Sequence, residues 1–319
     1  MAKYRHALPQ ANGTFCLTDG GLETTLVFLE GLDLPEFAAF PLIKTGEGRE
    51  VLRTYMERYI AIAQTHGTGF IMETPTWRAS PDYAKKLGVS LDELNTLNRV
   101  AVGDLVTLRN KYETRVTPMV ISGNIGPRRD GYAADTAMSV DEASAYHCRQ
   151  IFVFSETEAD MVTAITLTNP NEAIGIVHAA QTFGIPSVIG FTVETDGKLP
   201  TGQSLEEAID LVDSETAGGP AYYMVNCAHP THFGSELALG GEGIKRIKGI
   251  RANASCMSHE ELDNAEELDR GNPEELAEQI AALHNILGHI TVLGGCCGTD
   301  HEHIHHMGAQ VNQNRAVAA

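Results

Sequence analysis

The chain is poor in three things, and each absence excludes something. No run of apolar residues approaches 18, so no transmembrane helix and no membrane partner are expected. Basic residues are scarce: 23 Lys and Arg stand against 42 Asp and Glu, a net charge of −19. A partner gripped through its phosphates needs basic patches, so nucleic acid is not expected. The acidity suits a cationic small molecule, though most of it belongs to a solvated surface. Cysteine is sparse too. Six in 319 residues do not make a disulfide framework, which leaves thiols that bind metal or do chemistry. The opening residues, Met1-Ala2-Lys3-Tyr4-Arg5-His6, lead into no apolar stretch. No signal peptide is expected, and a cytoplasmic location is.

What is present is a regular alternation. A hydrophobic content of 43% supports a sizeable core, in two modest domains or one large barrel. Short β-rich runs recur at Phe15–Asp19, Phe70–Thr74, Pro118–Ser122, Met161–Thr166, Ser187–Thr192, Tyr222–Asn226, Ile247–Arg251 and Ile290–Leu293. They are near-continuously apolar, as buried parallel strands are. Helices fall between them. Val51, Leu52, Tyr55, Tyr59 and Ile62 keep helical spacing within Glu47–His66. Ser90/Glu93, Ser139/Glu142 and Ser204/Glu207 each match a capping box. Asn272-Pro273 with Glu275 opens a last core helix, whose face is Leu276, Ile280, Leu283 and Leu287 and which stops at Gly288. Eight strand–helix units of about 40 residues predict a (β/α)₈ TIM barrel, an α/β fold, as a single domain over 1–319. No low-complexity linker divides it.

The polar residues follow the same frame. Asp19, Glu73, Asn124, Thr166, Glu194, Asn226, Cys227, Asn253, Cys296 and Cys297 lie at or just beyond strand ends, which converge on one barrel face. Cys296 and Cys297 are adjacent among glycines, and Cys227 precedes Cys296 by 69 residues. Neighbouring cysteines rarely bridge each other. Three thiolates can hold Zn²⁺ and leave its fourth position open, the mark of a catalytic site. The plainer reading is three buried structural cysteines. Trp77, the only tryptophan, could wall a cationic ligand or simply pack a loop. Arg78 could pair with a carboxylate or face solvent. Glu73 is a contact to substrate or a loop carboxylate, and Asn124 orders the loop after strand three. Asp300-His301-Glu302-His303-Ile304-His305-His306 looks like a metal motif but reads as a solvated helix face. Cys16 and Cys148 read as core residues and Cys256 as a loop residue.

Four stretches carry a resemblance: Asp19-Gly20-Gly21, Gly123-Asn124-Ile125-Gly126-Pro127, Asn226-Cys227, and Gly294-Gly295-Cys296-Cys297-Gly298-Thr299. Together they resemble the zinc-dependent homocysteine S-methyltransferases, over roughly Thr14 to Gly308, and that family's fold is a (β/α)₈ barrel. The resemblance implies that Cys227, Cys296 and Cys297 hold Zn²⁺ and that Asp19 binds the acceptor's amino group. It implies a cationic methyl donor and a small-molecule thiol acceptor, homocysteine giving methionine. Zinc removes the proton from a coordinating thiol, so no general base is needed. With no glycine-rich dinucleotide loop after the first strand, a small onium donor is expected ahead of S-adenosylmethionine. Two departures stand out. Betaine enzymes of the family carry an aromatic residue at Arg78, which argues against betaine. Relatives end strand four with a glutamate that helps hold the acceptor's ammonium, where this chain has Ile165. Glu194 is then the best substitute, with Asp19 and Glu73 behind it. The rival readings are the same chemistry on another thiol, and a non-catalytic zinc- or thiol-binding barrel.

Overall fold

The computed structural model describes residues 1–129, 131 and 138–318, and side chains as far as 311. Eight strands form a closed barrel in chain order: β1 (Cys16–Leu17), β2 (Gly69–Glu73), β3 (Met119–Ile125), β4 (Met161–Leu167), β5 (Ser187–Phe191), β6 (Tyr222–Asn226), β7 (Ile247–Ala252) and β8 (Val292–Gly295). Each is parallel to the next, and β8 closes on β1 through Cys16 beside Val292 and Leu17 beside Leu293. A long helix follows each strand: α1 (Gly46–His66), α2 (Leu91–Tyr112), α3 (Val140–Ser155), α4 (Pro170–Phe183), α5 (Leu205–Thr216), α6 (Pro230–Leu239), α7 (Pro273–Leu287) and α8 (His301–Ala318). This is the (β/α)₈ barrel the alternation predicts.

Local chemistry sets the helix ends. Ser139 and Ser204 make reciprocal capping boxes with Glu142 and Glu207. Asn272 accepts from the N–H of both Glu274 and Glu275, and Gly288 ends α7 in the left-handed region. At Ser90 only half the expected box forms. Its hydroxyl accepts from Glu93 N–H, but the Glu93 carboxylate reaches Lys44 instead, 2.9 Å away. A box the sequence reading passed over, Ser258 with Glu261, opens the short helix His259–Asp263.

Two strands differ from expectation in ways that matter for the site. β3 runs on past Ser122 to Ile125, so Asn124 is a strand residue, not a loop residue. β8 lies two residues later than the apolar run, because Gly294 and Gly295 pair with Arg251 and Ala252 of β7. A Cβ at either glycine would collide with a threonine hydroxyl, Thr18 Oγ1 or Thr299 Oγ1. Their pairing with β7 makes them strand and the crowding requires glycine at both, and they deliver Cys296 at the strand's tip.

Side chains alternate between barrel interior and the helix layer. The lower interior is apolar, with Ile71, Val120, Met161, Val188, Tyr222 and Val292 packed together. Two residues further along β2, β3 and β4, Glu73, Ser122 and Thr163 share that inward face, and with Arg251 of β7, which meets Glu73, they make a polar floor. There the Ser122 and Thr163 hydroxyls lie 2.7 Å apart. No helix among the described residues is long and apolar enough to cross a membrane.

Candidate active site

The end of β6 presents Cys227, and the end of β8 presents Cys296 and Cys297, with β7 between them. Cys227 has φ +57°, a left-handed backbone uncommon outside glycine. It is held there from both sides. Its N–H donates to Arg251 O at 3.0 Å, and its carbonyl accepts from His259 Nε2 at 2.9 Å and from the Thr192 hydroxyl at 3.2 Å. Cys296 N–H donates to Ala252 O, its carbonyl accepts from the Thr299 N–H and hydroxyl, and Gly298 (φ +77°) completes the turn. The three Sγ atoms all lie within 4.8 Å of one another, Cys227 and Cys297 at 3.5 Å. Among the described residues this is the one group of three or more His, Cys, Asp or Glu placed to share an ion.

The donor set fits a soft divalent cation. Tetrahedral thiolate ligands on zinc stand about 3.8 Å apart, within the spread seen here. The protonation energetics agree. The Cys227 thiol is pushed well above its ordinary value by hydrogen bonding with Cys296, then Cys297, and by burial. For Cys296 the hydrogen bond with Cys227 lowers the value, but Cys297 and burial outweigh it and push the thiol up to about 12. Three crowded thiols resist becoming anions together, and a cation among them reverses that balance.

Asn226, wholly buried beside Cys227, is a clamp between strands. Its Oδ1 accepts from Thr166 N–H at 2.8 Å, and its Nδ2 donates to Thr166 Oγ1 at 3.0 Å. Thr166 is also left-handed (φ +62°), at an irregularity in β4. A side-chain amide supplies both the acceptor and the donor this needs, which is what asparagine before the cysteine provides.

A cavity of about 370 Å³ opens above the sulfurs, lined by all three cysteines together with Asp19, Glu73, Trp77, Arg78, Asn124, Ile165 and Thr166. Its floor is ionic. Arg251 Nη2 donates to Asp19 Oδ1 at 2.7 Å, Nε donates to Gly295 O at 3.1 Å, and Nη1 lies 3.4 Å from Glu73 Oε2. The Tyr55 hydroxyl donates to Asp19 Oδ2 at 3.2 Å. Burial raises the Asp19 carboxyl while Arg251 and Tyr55 oppose it. Burial pushes Glu73 up to about 7, again opposed by Arg251 and reinforced by the charge of Asp19. Burial would lower the Arg251 guanidinium, and the two carboxylates outweigh it, so it stays charged. Glu23, at the rim, is raised to about 7 by burial and by Asp19.

Of the residues singled out from sequence, Glu194, Asn226 and Asn253 are not part of this lining. Glu194 Oε1 faces His259 Nδ1 at 3.1 Å, so it belongs to the support behind Cys227. Asn253 is buried, its N–H donating to Ala228 O. Trp77 and Arg78 both line the cavity, with the guanidinium stacked 4.4 Å from the indole and 4.4 Å from the Tyr83 ring. The histidine run is not wholly a solvated face. His303 is buried, contacting Asp300 Oδ1 and Arg270 O at 2.9 Å each, while His301 and His305 are exposed. Cys16 is core, Cys148 is only half-buried, and Cys256 is exposed. Two groups escaped the sequence reading. One is the cavity roof, drawn from Leu262 to Asp269, which carries no motif. The other is Arg251, whose signal was available: a charge on the inward face of a buried strand requires a counter-charge.

A closed parallel barrel that gathers three thiols over an ionic floor, at the face where barrel enzymes work, defines a thiol-chemistry enzyme of the (β/α)₈ class. The sequence pattern described as homocysteine S-methyltransferase matches residues 16–311, and the chain belongs to that family. Among solved structures it is similar to the homocysteine methyltransferase MmuM from Escherichia coli. The oxidized form matches at 18% identity and TM-score 0.72, covering 93% of this chain and 96% of that one. The metallated form matches at 18% and 0.72, covering 94% and 97%, and the apo form at 18% and 0.69, covering 97% and 100%. At this identity the structures bear on fold. No curated protein matches the chain.

Proposed function

We propose that the protein is a zinc-dependent S-methyltransferase that moves a methyl group from a small sulfonium or ammonium donor to a thiol, with homocysteine the acceptor and methionine the product. Family and fold support thiol S-methyl transfer. The observation that carries the finer reading is the cluster of three Sγ atoms within 4.8 Å, bordering the cavity. Cys227, Cys296 and Cys297 would hold Zn²⁺, which when bound would keep an acceptor's sulfur deprotonated at neutral pH.

The chain's own residues supply the rest. Backbone hydrogen bonds at the β6 and β8 tips fix the cysteines before any ligand arrives. The cavity holds acceptor and donor together. The acceptor's thiolate forms the new S–CH₃ bond as the bond from methyl to the onium atom breaks, and that electron pair leaves with the donor as a neutral sulfide or amine. Alignment of two bound reactants can supply roughly 7–11 kcal/mol of the barrier. The charges of Asp19, Glu73 and Arg251 suit a polar acceptor, and Trp77 with Arg78 suits a donor bearing a carboxylate. Incubating zinc-loaded protein with homocysteine and, separately, S-methylmethionine, betaine or S-adenosylmethionine, with products read by mass spectrometry, tests this. Methionine from S-methylmethionine ahead of the other two is expected. A clear preference for the adenosyl donor, or no methylated thiol from any donor, overturns it.

A further inference from the structure

The first and last helices of the barrel meet through two histidines. His66 is the last residue of α1, and His305 opens the second turn of α8. His66 Nε2 stands 3.3 Å from His305 Nδ1, with the ring centroids 4.9 Å apart and the planes crossing at 52°. An N–H hydrogen bond is commonest at about 2.9–3.0 Å, so this contact is long for one. It matches what a metal ion requires. Nitrogens about 2.0–2.1 Å from a tetrahedral zinc ion stand about 3.3–3.4 Å apart.

The His66 ring is held in this position. A Cβ at Gly308 of α8 would stand 2.5 Å from its Cδ2, so glycine there lets the ring lie against the helix. The ring also hydrogen-bonds to the His305 backbone. A ligating histidine ordinarily donates its second N–H in this way, which orients the ring and the lone pair of its other nitrogen. Burial, and then the neighbouring His305, hold His66 below its ordinary value, and that hydrogen bond opposes them. Neutral imidazole is the form that binds metal. The place also suits a cation. The last carbonyls of a helix carry partial negative charge, and His66 ends α1 just before the left-handed Gly67. Of the run Asp300–His306, His303 is committed to Asp300 and Arg270 O, whereas His305 is exposed beside the half-buried His66.

We infer that His66 and His305 form a second metal site, for a tetrahedral, imidazole-binding divalent cation such as Zn²⁺, with water completing its coordination on the solvent side. The site lies outside the cavity and does not rest on the methyl-transfer reading. An ion there ties α1 to α8. These helices flank the seam where β8 closes on β1, a strand of two residues that meets β8 through Cys16 and Leu17 alone. A bond between the helices reinforces the barrel where its sheet pairing is short.

The test is calorimetric titration of zinc-loaded, desalted protein with further Zn²⁺, in the wild type and three variants. One additional site of micromolar affinity is expected. His66→Ala and His305→Ala should each weaken it about tenfold or more, and His301→Ala by less than about threefold. Either ligand variant carries the comparison should the other fail to fold. Saturating Zn²⁺ should raise the unfolding temperature of the wild type above that of the desalted protein, and should not do so in His66→Ala. No additional binding event overturns the inference. So does equal weakening in all three variants, or no weakening in either ligand variant, because the ion is then adventitious on the exposed histidines of α8.

Discussion

The two walls of the cavity are built on opposite plans. The sulfur wall, at the tips of β6 and β8, is backbone work. Its cysteines are short side chains on turn residues, and hydrogen bonds from their N–H groups to Arg251 O and Ala252 O and from His259 to Cys227 O hold the main chain that carries them. The charged floor is side-chain work, with an arginine from β7 reaching Asp19 after β1 and Glu73 on β2. The first kind of wall tolerates changes at a distance but not at the ligand atoms. The second is a mutual arrangement, in which removing one charge strands another.

The largest effect should come from breaking the sulfur wall. Cys296→Ser should take bound zinc from about one per chain to near zero after desalting, with methyl transfer lost. Elemental analysis of reduced protein measures this, and full zinc content in the variant would sink the ligand assignment. Breaking the floor should act on stability instead. Asp19→Asn leaves the buried Arg251 without its closest counter-charge, and a cost of about 3 kcal/mol is expected. Urea denaturation of the two proteins reads it. An unchanged midpoint would mean that Glu73 alone suffices, and the contrast between the walls would weaken. The smallest effect is a slope. Folded Glu73 keeps its proton up to about 7, against an ordinary 4.5. Between those values the folded state binds more protons than the unfolded one, so stability falls as pH rises through that window and levels off above it. Glu73→Gln should flatten the fall, leaving what Glu23 and the other raised carboxyls, Asp19 and Asp160, contribute. Urea midpoints near pH 5 and pH 7.5 compare the proteins, and identical slopes would remove Glu73 as a source.

The same contrast explains what could be read without coordinates. Cys227, Cys296 and Cys297 stand next to strand ends and glycines, so local pattern and the barrel's convergence suffice to bring them together. Asp19, Glu73 and Asn124 were legible as tip residues for the same reason. Pairing was not. Whether Asp19 is available or engaged depends on Arg251, 232 residues away in sequence. Glu194 looked free for an ammonium because strand five adjoins strand four, yet the short helix after β7 brings His259 against it. The shift of β8 follows from pairing with Arg251 and Ala252, which no run of apolar residues reveals. Gly294 and Gly295 resemble a turn until Thr18 and Thr299 are seen to occupy the space.

The spacing of the cysteines along the chain has a consequence of its own. Cys227 and Cys296 bracket residues 228–295, which hold α6, β7, α7 and β8. Anything that joins the sulfurs ties this segment into a ring. Fixing the ends of a loop of about 70 residues removes unfolded-chain entropy worth about 4 kcal/mol in the chain-entropy account. β7 is stitched to β6 and β8 by hydrogen bonds along its length, and the sulfurs would fasten those two flanking strands over its end. The atoms placed for chemistry are thus also placed as a buckle across three staves of the barrel. Its last quarter should hold its shape in proportion to how firmly that buckle is shut.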